Sequence, residues 1–349
     1  MRILQLAPLA ERVPPPAYGG TEAVVSLLTD GLVRRGHQVT LFASGDSLTL
    51  AELRSTYPSS LRSANGITDT FPYEFVHMVE AFKEADEYDL IHSHVGELAM
   101  PMSRLSRTPV LSTFHNPLSN HSVYWDSYRG FFNTISRAAK KGLPDNGYIG
   151  VVYNAVDVAS FPFCEDKDDY LLFLSRISPE KGTHTAIEVA RRLGLRLIIA
   201  GKIGAHDRWY YEREIRPRID GKQIQYLGEA DGKLKRELYA RARCLLLPIT
   251  WNELFGLVMA EAMACGTPVI AFNYGAAPEI IVHGQTGFVV GDTDEMTNTV
   301  AQTARIDPYK CREHVLRHFD IPNMVDGYLA VYDKVLSLAT HGHGLTRTA

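Results

Sequence analysis

The sequence predicts an α/β protein built from two parallel sheets, each covered by helices. Short apolar strands alternate with helical windows along all 349 residues, and a turn-rich break lies near residue 154. Such alternation is typical of parallel strands that are buried on both faces. The length, together with a 45% hydrophobic and 22% charged composition, indicates a globular chain of two domains.

The strands follow one another at regular intervals. The first half contains predicted strands at 3–7, 39–43, 90–92, 110–113, 133–135 and 149–153. The second half contains others at 170–174, 195–200, 224–227, 244–247, 268–272 and 287–290. Helical windows lie between them, for example at 22–35, 183–193 and 233–242. A single sheet of this many strands would be unusual, so we predict two sheets.

The boundary between the domains is expected where a strand ends in turn residues, at Tyr153-Asn154-Ala155-Val156-Asp157. We therefore predict a first domain over 1–153 and a second over 154–320. A helix over 321–338 follows the second sheet, and 339–349 are expected to form a frayed tail.

Composition excludes several classes of protein. The 36 Lys and Arg residues against 40 Asp and Glu give a formal net charge of −4, and neither half of the chain is basic, so a nucleic-acid-binding module is not expected. The four cysteines form no C-x-x-C pair, which is typical of reduced thiols in a cytoplasmic protein. We expect neither a signal peptide nor a membrane span.

The chemically most informative segment is Glu-Leu-Phe-Gly-Leu-Val-Met-Ala-Glu, which places Glu253 and Glu261 eight residues apart. The pattern predicts a helix that begins near Leu254 and ends before Gly266, with a buried strand after it. Glu253 would then lie at the entrance of the helix and Glu261 about two turns inside it.

The first turn of this helix is a candidate anion site. The backbone amides of Phe255, Gly256 and Leu257 would lack partners within the helix. The two carboxylates could accept hydrogen bonds from hydroxyl groups, one set on a hexose and the other on a ribose. The arrangement suits a nucleotide sugar whose phosphates lie on the amides.

Two further segments place ligand-binding groups at strand ends. In Ser-Arg-Ile-Ser-Pro-Glu-Lys-Gly, Arg176 and Lys181 follow a strand and precede a helix, so they could neutralise a diphosphate without a metal. Gly19 and Gly20 follow the first strand and would allow a ligand to approach the backbone closely. His115 ends a strand of the first half, where ligands collect in such sheets.

Together these motifs resemble the retaining glycosyltransferases of family 4, the group 1 glycosyltransferases, and in particular compact bacterial members. The resemblance extends over nearly the whole chain. It implies the GT-B fold, with two facing Rossmann-like domains, a cleft between them and a final helix that crosses back to the first domain. It also implies a retaining, metal-independent transfer of a hexose from a nucleotide sugar.

The resemblance also assigns roles to residues. It gives His115 and Glu253 to catalysis, and it places Gly228 beside the nucleobase through backbone contacts. Donor binding falls to Gly19, Gly20, Arg176, Lys181, Gly228, Phe255, Gly256, Leu257 and Glu261. No cofactor is expected besides the nucleotide-sugar donor, with UDP-glucose as the first candidate because it is frequent among relatives. The expected acceptor is a saccharide or lipid-linked hydroxyl in cell-envelope or exopolysaccharide synthesis.

Several alternatives remain open at this point. His92 and His94 share one side of a strand, where we expect a structural or acceptor-side role; the alternative is a metal site that His115 and His121 could join. The architecture is also that of UDP-sugar 2-epimerases and would suit a non-catalytic nucleotide-sugar-binding subunit.

Two groups of basic residues allow different interpretations. A cluster in the second half is expected to be a solvated helix face: Lys233, Lys235, Arg236, Arg241 and Arg243. Another group, in the first half, could meet a phosphorylated acceptor or an anionic membrane surface, which would make a cytoplasmic protein peripheral to the membrane: Arg104, Arg107, Arg137, Lys140 and Lys141.

Overall fold

The computed structural model describes residues 1–17, 19–64, 66–118 and 122–340. The chain divides into two compact units, which are Met1–Ala155 with the C-terminal segment from Ile321, and Val156–Asp320. The change of unit after Ala155 lies two residues beyond the predicted boundary. The predicted tail begins too early, because the last helix continues to Thr340; residues 341–349 lie outside the described part of the chain.

The first unit contains a seven-stranded sheet in the order β3-β2-β1-β4-β5-β6-β7, with all neighbours parallel. Its strands are β1 Arg2–Leu6, β2 Gln38–Phe42, β3 Glu52–Arg54, β4 Leu90–Ser93, β5 Val110–Phe114, β6 Phe131–Thr134 and β7 Tyr148–Val151. The edge strand β3 was not predicted, because three residues with charged ends carry no alternating apolar pattern.

Helices surround this sheet. The α-helices of the first unit are α1 Gly20–Arg34, α2 Phe71–Lys83, α3 Ser122–Ser127 and, at the C-terminal end, α11 Ile321–Thr340. Short 3₁₀ segments lie at Ala85–Glu87, Gly96–Arg104 and Ala138–Lys140. Helix α11 buries two tyrosines completely, Tyr328 and Tyr332. It therefore brings polar hydroxyl groups into the interior of this unit, where they need hydrogen-bond partners.

The second unit contains a six-stranded parallel sheet in the order β10-β9-β8-β11-β12-β13. Its strands are β8 Tyr170–Leu174, β9 Arg196–Ala200, β10 Ile224–Tyr226, β11 Cys244–Leu247, β12 Val269–Phe272 and β13 Gly287–Val290. The central strands β8, β11 and β12 are almost wholly buried, as expected for parallel strands covered on both faces.

The helices of the second unit connect these strands. They are α4 Thr183–Leu193, α5 Arg208–Tyr210, α6 Gly232–Arg241, α7 Leu257–Ala264, α8 Ala277–Ile280, α9 Thr293–Thr299 and α10 Pro308–His318. Short 3₁₀ segments lie at Val158–Ser160, Pro179–Lys181, Arg216–Arg218 and Val300–Arg305, and one π-helical turn at Tyr211–Ile215. The two parallel-sheet units confirm the predicted two-domain Rossmann-like fold. Over the described ranges, no helix has the length and apolar character that crossing a membrane requires.

Candidate functional site

The most prominent polar contact of the second unit joins two residues that are 72 positions apart. Lys181 Nζ donates a hydrogen bond to Glu253 Oε2, and the two side chains are only 13% and 18% exposed. Trp251 Nε1 approaches the same carboxylate oxygen at 3.3 Å, and the Lys181 ammonium lies 5.2 Å from the centre of the Trp251 ring. A mostly buried cation, a carboxylate and an indole therefore form one cluster, which we call the Lys181 cluster.

Backbone contacts bring the two halves of the Lys181 cluster together. Lys181 belongs to the loop between β8 and α4, which ends at Gly182 with φ 75°. A side chain at Gly182 would place its Cβ 2.2 Å from the carbonyl oxygen of Pro248, which follows β11. The Thr250 amide also donates to the Glu180 carbonyl at 2.9 Å. Glycine is thus required where the two loops meet.

A second close approach holds the backbone of Glu253. Gly275, with φ 56°, lies so near that a Cβ there would be 2.2 Å from the Glu253 carbonyl oxygen. The next amide, that of Ala276, donates to this oxygen at 2.8 Å. The sequence analysis missed both Trp251 and Gly275. The only available signal was the glycine itself, in a turn shortly after β12.

Arg176 comes from the same β8–α4 loop as Lys181. Its guanidinium donates to Glu180 and lies 3.7 Å from Asp207 Oδ2. Both cations that the sequence assigned to a diphosphate are therefore already compensated by carboxylates, each by a different set. The prediction that these cations lie at the end of β8 agrees with the structure, whereas their carboxylate partners were not predicted.

The helix that carries the second glutamate begins later than predicted. Gly256 has φ 77°, which is left-handed, so the first helical residue of α7 is Leu257 rather than Leu254. Glu253 consequently lies in the loop before the helix, and Glu261 lies about one turn inside it rather than two. Phe255 and Gly256 precede the helix, and only Leu257 of the three predicted amides belongs to its first turn.

Glu261 is buried, and each of its carboxylate oxygens accepts a hydrogen bond. Its carboxylate accepts hydrogen bonds from Lys235 Nζ at 2.6 Å and from the Tyr239 hydroxyl at 2.8 Å, and its side chain is 10% exposed. Burial and the nearby negative charge of Glu261 raise the pKa of Tyr239, so the phenol stays protonated and donates. Both partners lie on α6, whose basic residues the sequence placed on a solvated face.

That assignment of the basic residues is wrong for Lys235, which turns inward to Glu261. Three of the others pair with carboxylates in the same unit: Lys233 with Glu237, Arg241 with Asp168 and Arg243 with Asp169. Arg236 instead lies with its guanidinium 5.7 Å from the centre of the Phe161 ring. The helical spacing did not distinguish Lys235 because its partner lies on another helix, and a sequence pattern within α6 contains no information about α7.

The predicted glycine positions lie in segments that follow strands. Gly19 immediately precedes α1 and Gly20 is its first residue, after the connection from β1, whereas Tyr18 of the same motif is outside the described residues. Gly228 follows β10 in the second unit, and its carbonyl accepts a hydrogen bond from the Gly201 amide at 2.8 Å. Strand ends of this kind are where ligands bind in open parallel sheets.

Three histidines of the first unit, His92, His94 and His115, belong to one hydrogen-bonded network. His92 contacts the Tyr332 hydroxyl through Nδ1 at 2.8 Å and the Thr113 hydroxyl through Nε2 at 2.7 Å. His94 contacts Gln5 Oε1 through Nε2 at 2.8 Å and His115 Nε2 through Nδ1 at 2.9 Å. Burial lowers the pKa of His115 to about 4 and the pKa values of His92 and His94 well below their ordinary range.

These contacts bear on the predicted metal alternative. Both ring nitrogens of His92 and of His94 face protein partners, so neither has a lone pair left for a metal ion without breaking a hydrogen bond. Within the described residues no group of three or more His, Cys, Asp or Glu side chains is arranged to hold a metal. His121, the remaining histidine of that hypothesis, lies outside the described residues.

Comparison with known proteins identifies the family. The model of "Glycosyltransferase Family 4" matches residues 18–160, and the model of "Glycosyl transferases group 1" matches residues 161–321. The chain belongs to the group 1 glycosyltransferases. The predicted family is thereby confirmed, and the protein is a transferase, which decides against the epimerase and the non-catalytic binder.

Individual relatives are distant but cover most of the chain. Glycogen synthase from Mycobacterium tuberculosis is 27% identical, and the match covers 82% of this chain and 81% of the relative. A solved sucrose-phosphate synthase from Thermosynechococcus elongatus has a TM-score of 0.79 at 19% identity, over 96% of this chain and 99% of its own. HepE from Anabaena, solved with UDP and glucose, has a TM-score of 0.73 at 19% identity, over 96% and 100%. These structures show the fold that this glycosyltransferase shares.

Proposed function

We propose that this glycosyltransferase transfers a hexose, with glucose from UDP-glucose as the first candidate, to a hydroxyl group of a saccharide or lipid-linked acceptor. The reaction would retain the anomeric configuration and serve cell-envelope or exopolysaccharide synthesis. The choice of donor is supported by HepE, whose structures contain UDP, UDP with glucose, and UDP-glucose. A lipid-linked acceptor would bring the enzyme to a membrane surface as a peripheral protein.

The observation that carries the proposal is the contact between Lys181 and Glu253. In the free protein the ammonium of Lys181 is neutralised by this carboxylate, and the guanidinium of Arg176 by Glu180 and Asp207. A diphosphate can take the place of these carboxylates, because phosphate oxygens form the same charge-assisted hydrogen bonds. Once Lys181 has turned to the diphosphate, Glu253 is free to accept hydrogen bonds from two hydroxyl groups of the donor sugar.

The remaining candidate residues follow from this placement. Glu261 accepts hydrogen bonds from the ribose hydroxyls, and the backbone at Phe255, Gly256 and Leu257 contacts the diphosphate. Gly228 contacts the base through its backbone. In the first unit, Gly19 and Gly20 form the loop for the diphosphate, and His115 contacts a hydroxyl of the donor sugar. These roles are the ones that the family resemblance implies for these positions.

Catalysis would rest on stabilising the leaving diphosphate. The bond between the anomeric carbon and the diphosphate oxygen breaks, and the acceptor oxygen forms its bond to that carbon on the same face. The proton of the acceptor hydroxyl moves to the departing phosphate oxygen, which releases UDP. Lys181, Arg176 and the first turn of α7 supply positive charge where negative charge develops, and this electrostatic contribution is the main source of rate enhancement.

A screen of nucleotide sugars tests the proposal. Thermal shift with UDP-glucose, UDP-galactose, UDP-N-acetylglucosamine and GDP-mannose identifies the donor, and mass spectrometry of mixtures with candidate acceptors identifies the product. We expect transfer to continue in excess EDTA. Binding of GDP-mannose alone would overturn the choice of donor, and activity that disappears with EDTA and returns with manganese would overturn metal independence.

A further inference from the structure

A continuous chain of six hydrogen bonds crosses the interior of the first unit and ends at His115. It passes through strands β6, β5 and β4, helix α11 and strand β1, and it ends at His94 and His115, which directly follow β4 and β5. In order, it joins Asn133, Thr113, His92, Tyr332, Gln5, His94 and His115, with distances of 2.6, 2.7, 2.8, 3.0, 2.8 and 2.9 Å. Each contact holds a single hydrogen, which one residue donates and the next accepts. Donation therefore runs along the chain in one direction.

At the first contact, the direction follows from the orientation of the Asn133 amide, which turns Oδ1 to Thr113. Thr113 Oγ1 lies 2.6 Å from Asn133 Oδ1, and because both atoms are oxygens, the only hydrogen between them is that of the threonine hydroxyl. Thr113 has no second hydrogen, so it must accept one from His92 Nε2. A neutral His92 protonated on Nε2 carries a lone pair on Nδ1, and the Tyr332 hydroxyl donates to it.

The same direction emerges independently at Gln5. Its amide nitrogen Nε2 can only donate, so the Tyr332 oxygen accepts from it and the Tyr332 hydrogen is left for His92 Nδ1. This leaves Gln5 Oε1 facing His94 Nε2, which must therefore carry a hydrogen. The amide groups of Asn133 and Gln5 thus require the same direction of hydrogen-bond donation, although they lie at different positions in the hydrogen-bond chain.

From these constraints we infer that the chain fixes the tautomer of His115, with the hydrogen on Nε2 and the lone pair on Nδ1. His94, protonated on Nε2, has its lone pair on Nδ1, and this atom can only accept from His115 Nε2. Gln5 and Tyr332 are then positioning residues for His115. Among the described residues no protein group contacts His115 Nδ1, so this nitrogen is the one that remains for a ligand.

The electrostatic environment supports neutral rings throughout. Burial is the main cause that lowers the pKa of each of the three histidines, to about 4 for His115. An imidazolium in this chain would need two acceptors where the structure offers one, so protonation would break a hydrogen bond as well as bury a charge.

The consequence for function rests on the proposed role of His115 beside the donor sugar. A ring with its lone pair on Nδ1 can accept a hydrogen bond from a hydroxyl, but it can neither donate to an oxygen of the leaving phosphate nor neutralise it. His115 is therefore an orienting acceptor for a hydroxyl group, and it is not a proton donor to the leaving group. Its orientation and its tautomer both depend on residues that are fully buried, Gln5 and Tyr332.

Nuclear magnetic resonance of the free protein tests the tautomer directly. With ¹⁵N-labelled histidine, long-range correlations between ring nitrogens and carbon-bound hydrogens distinguish the two tautomers. The protein has 13 histidines, and comparison with the spectrum of His115→Asn identifies the signals of His115. We expect the Nε2–H form at pH 7 in the wild-type protein. The Nδ1–H form, or a charged ring, would overturn the inference.

Two tyrosines on α11 provide a matched pair of variants. Tyr332→Phe removes a hydroxyl that both donates and accepts in the chain, whereas Tyr328→Phe removes a hydroxyl that contacts Thr113 at 3.2 Å from outside it; both side chains are fully buried. We expect Tyr332→Phe to give mixed tautomers of His115 and Tyr328→Phe to keep the wild-type form. An unchanged spectrum in Tyr332→Phe, or the same change in both variants, would contradict the positioning role.

Kinetics provide a second measurement and separate this inference from the proposed function. The competent fraction of the enzyme follows the fraction of the correct tautomer, so an even mixture lowers kcat about twofold and a larger shift lowers it further. We expect this loss in Tyr332→Phe and not in Tyr328→Phe. If the tautomers behave as expected but no nucleotide sugar is turned over, the proposed function fails and the inference about the chain stands.

Discussion

Replacing Glu253 by glutamine should tighten the binding of UDP while slowing the transfer of the hexose. In the free protein Lys181 is held by Glu253, and a diphosphate must take the lysine away from this carboxylate. An amide oxygen competes less well for an ammonium group than a carboxylate does. The substitution keeps the shape of the side chain, so it changes this competition with little change in packing.

The magnitude follows from the kind of hydrogen bond that is lost. The ammonium donor stays charged in Glu253→Gln, and only the acceptor loses its charge. Hydrogen bonds that involve a charged group contribute about 1.5–3 kcal/mol, so a change from the upper to the lower end of this range weakens the competing contact by about 1 kcal/mol. Both side chains are less than one-fifth exposed, so solvent screening removes little of this difference. About 1 kcal/mol corresponds to a roughly fivefold decrease in the Kd for UDP.

Calorimetry with UDP and with uridine is the appropriate assay. Uridine lacks the diphosphate, so its affinity should be the same in the wild-type protein and in Glu253→Gln. Glu188→Gln is the control variant, because Glu188 pairs with Arg192 at the surface of α4, where it is 45% exposed. Unchanged or weaker binding of UDP to Glu253→Gln, or an equal gain for uridine, would refute the exchange of partners at Lys181.

Further predictions concern the diphosphate, the ribose and pH. Lys181→Ala and Arg176→Ala should each weaken UDP binding about 10- to 100-fold, since each loses a charge-assisted contact of about 1.5–3 kcal/mol; unchanged affinity in both, measured by calorimetry, would contradict the assignment. Glu261→Gln should weaken UDP and UDP-sugar equally and, because Lys235 loses its partner, lower the free energy of unfolding in urea by about 1–3 kcal/mol; a sugar-dependent effect would place the ribose elsewhere. Burial lowers the pKa of His77 from 6.5 to about 4, so the unfolded chain binds more protons between these values and the free energy of unfolding falls as pH is lowered through this window. The contribution of His77 is about 3 kcal/mol at its limit, and His77→Gln should flatten the measured dependence on pH; an unaltered slope would show that this histidine contributes nothing.

The strands could be predicted because the residues that form each strand themselves show its apolar pattern. Apolar runs such as those of β8 and β11 are read from a few neighbouring residues, and all twelve predicted strands overlap observed ones. The segment from Glu253 to Glu261 was also recognisable by its spacing. The start of α7 was not, because the left-handed conformation of Gly256 depends on its surroundings, whereas glycine alone allows either hand.

The partners of the charged residues could not be predicted because they depend on contacts between distant segments. Glu253 meets Lys181 only because Gly182 packs on Pro248 and Gly275 packs on the backbone of Glu253 itself. No spacing within one element encodes either approach. The same reason explains why the inward orientation of Lys235 and the chain from Asn133 to His115 emerged from the structure alone.

The polar side chains that are candidates for ligand binding are charged in the second unit and neutral in the first. This difference determines which chemical groups each unit can bind. The second unit contains ammonium and guanidinium groups that pair with carboxylates, and a diphosphate would compensate the same cations under the proposed function. The polar chain of the first unit consists of neutral imidazole, amide and hydroxyl groups, and a cationic His115 is disfavoured by its burial. Neutral acceptors can orient a hydroxyl group but contribute little against the charge of a phosphate. A diphosphate therefore matches the groups of the second unit and an uncharged hydroxyl group matches those of the first, whereas a bare sugar would leave the cations of the second unit paired with their own carboxylates.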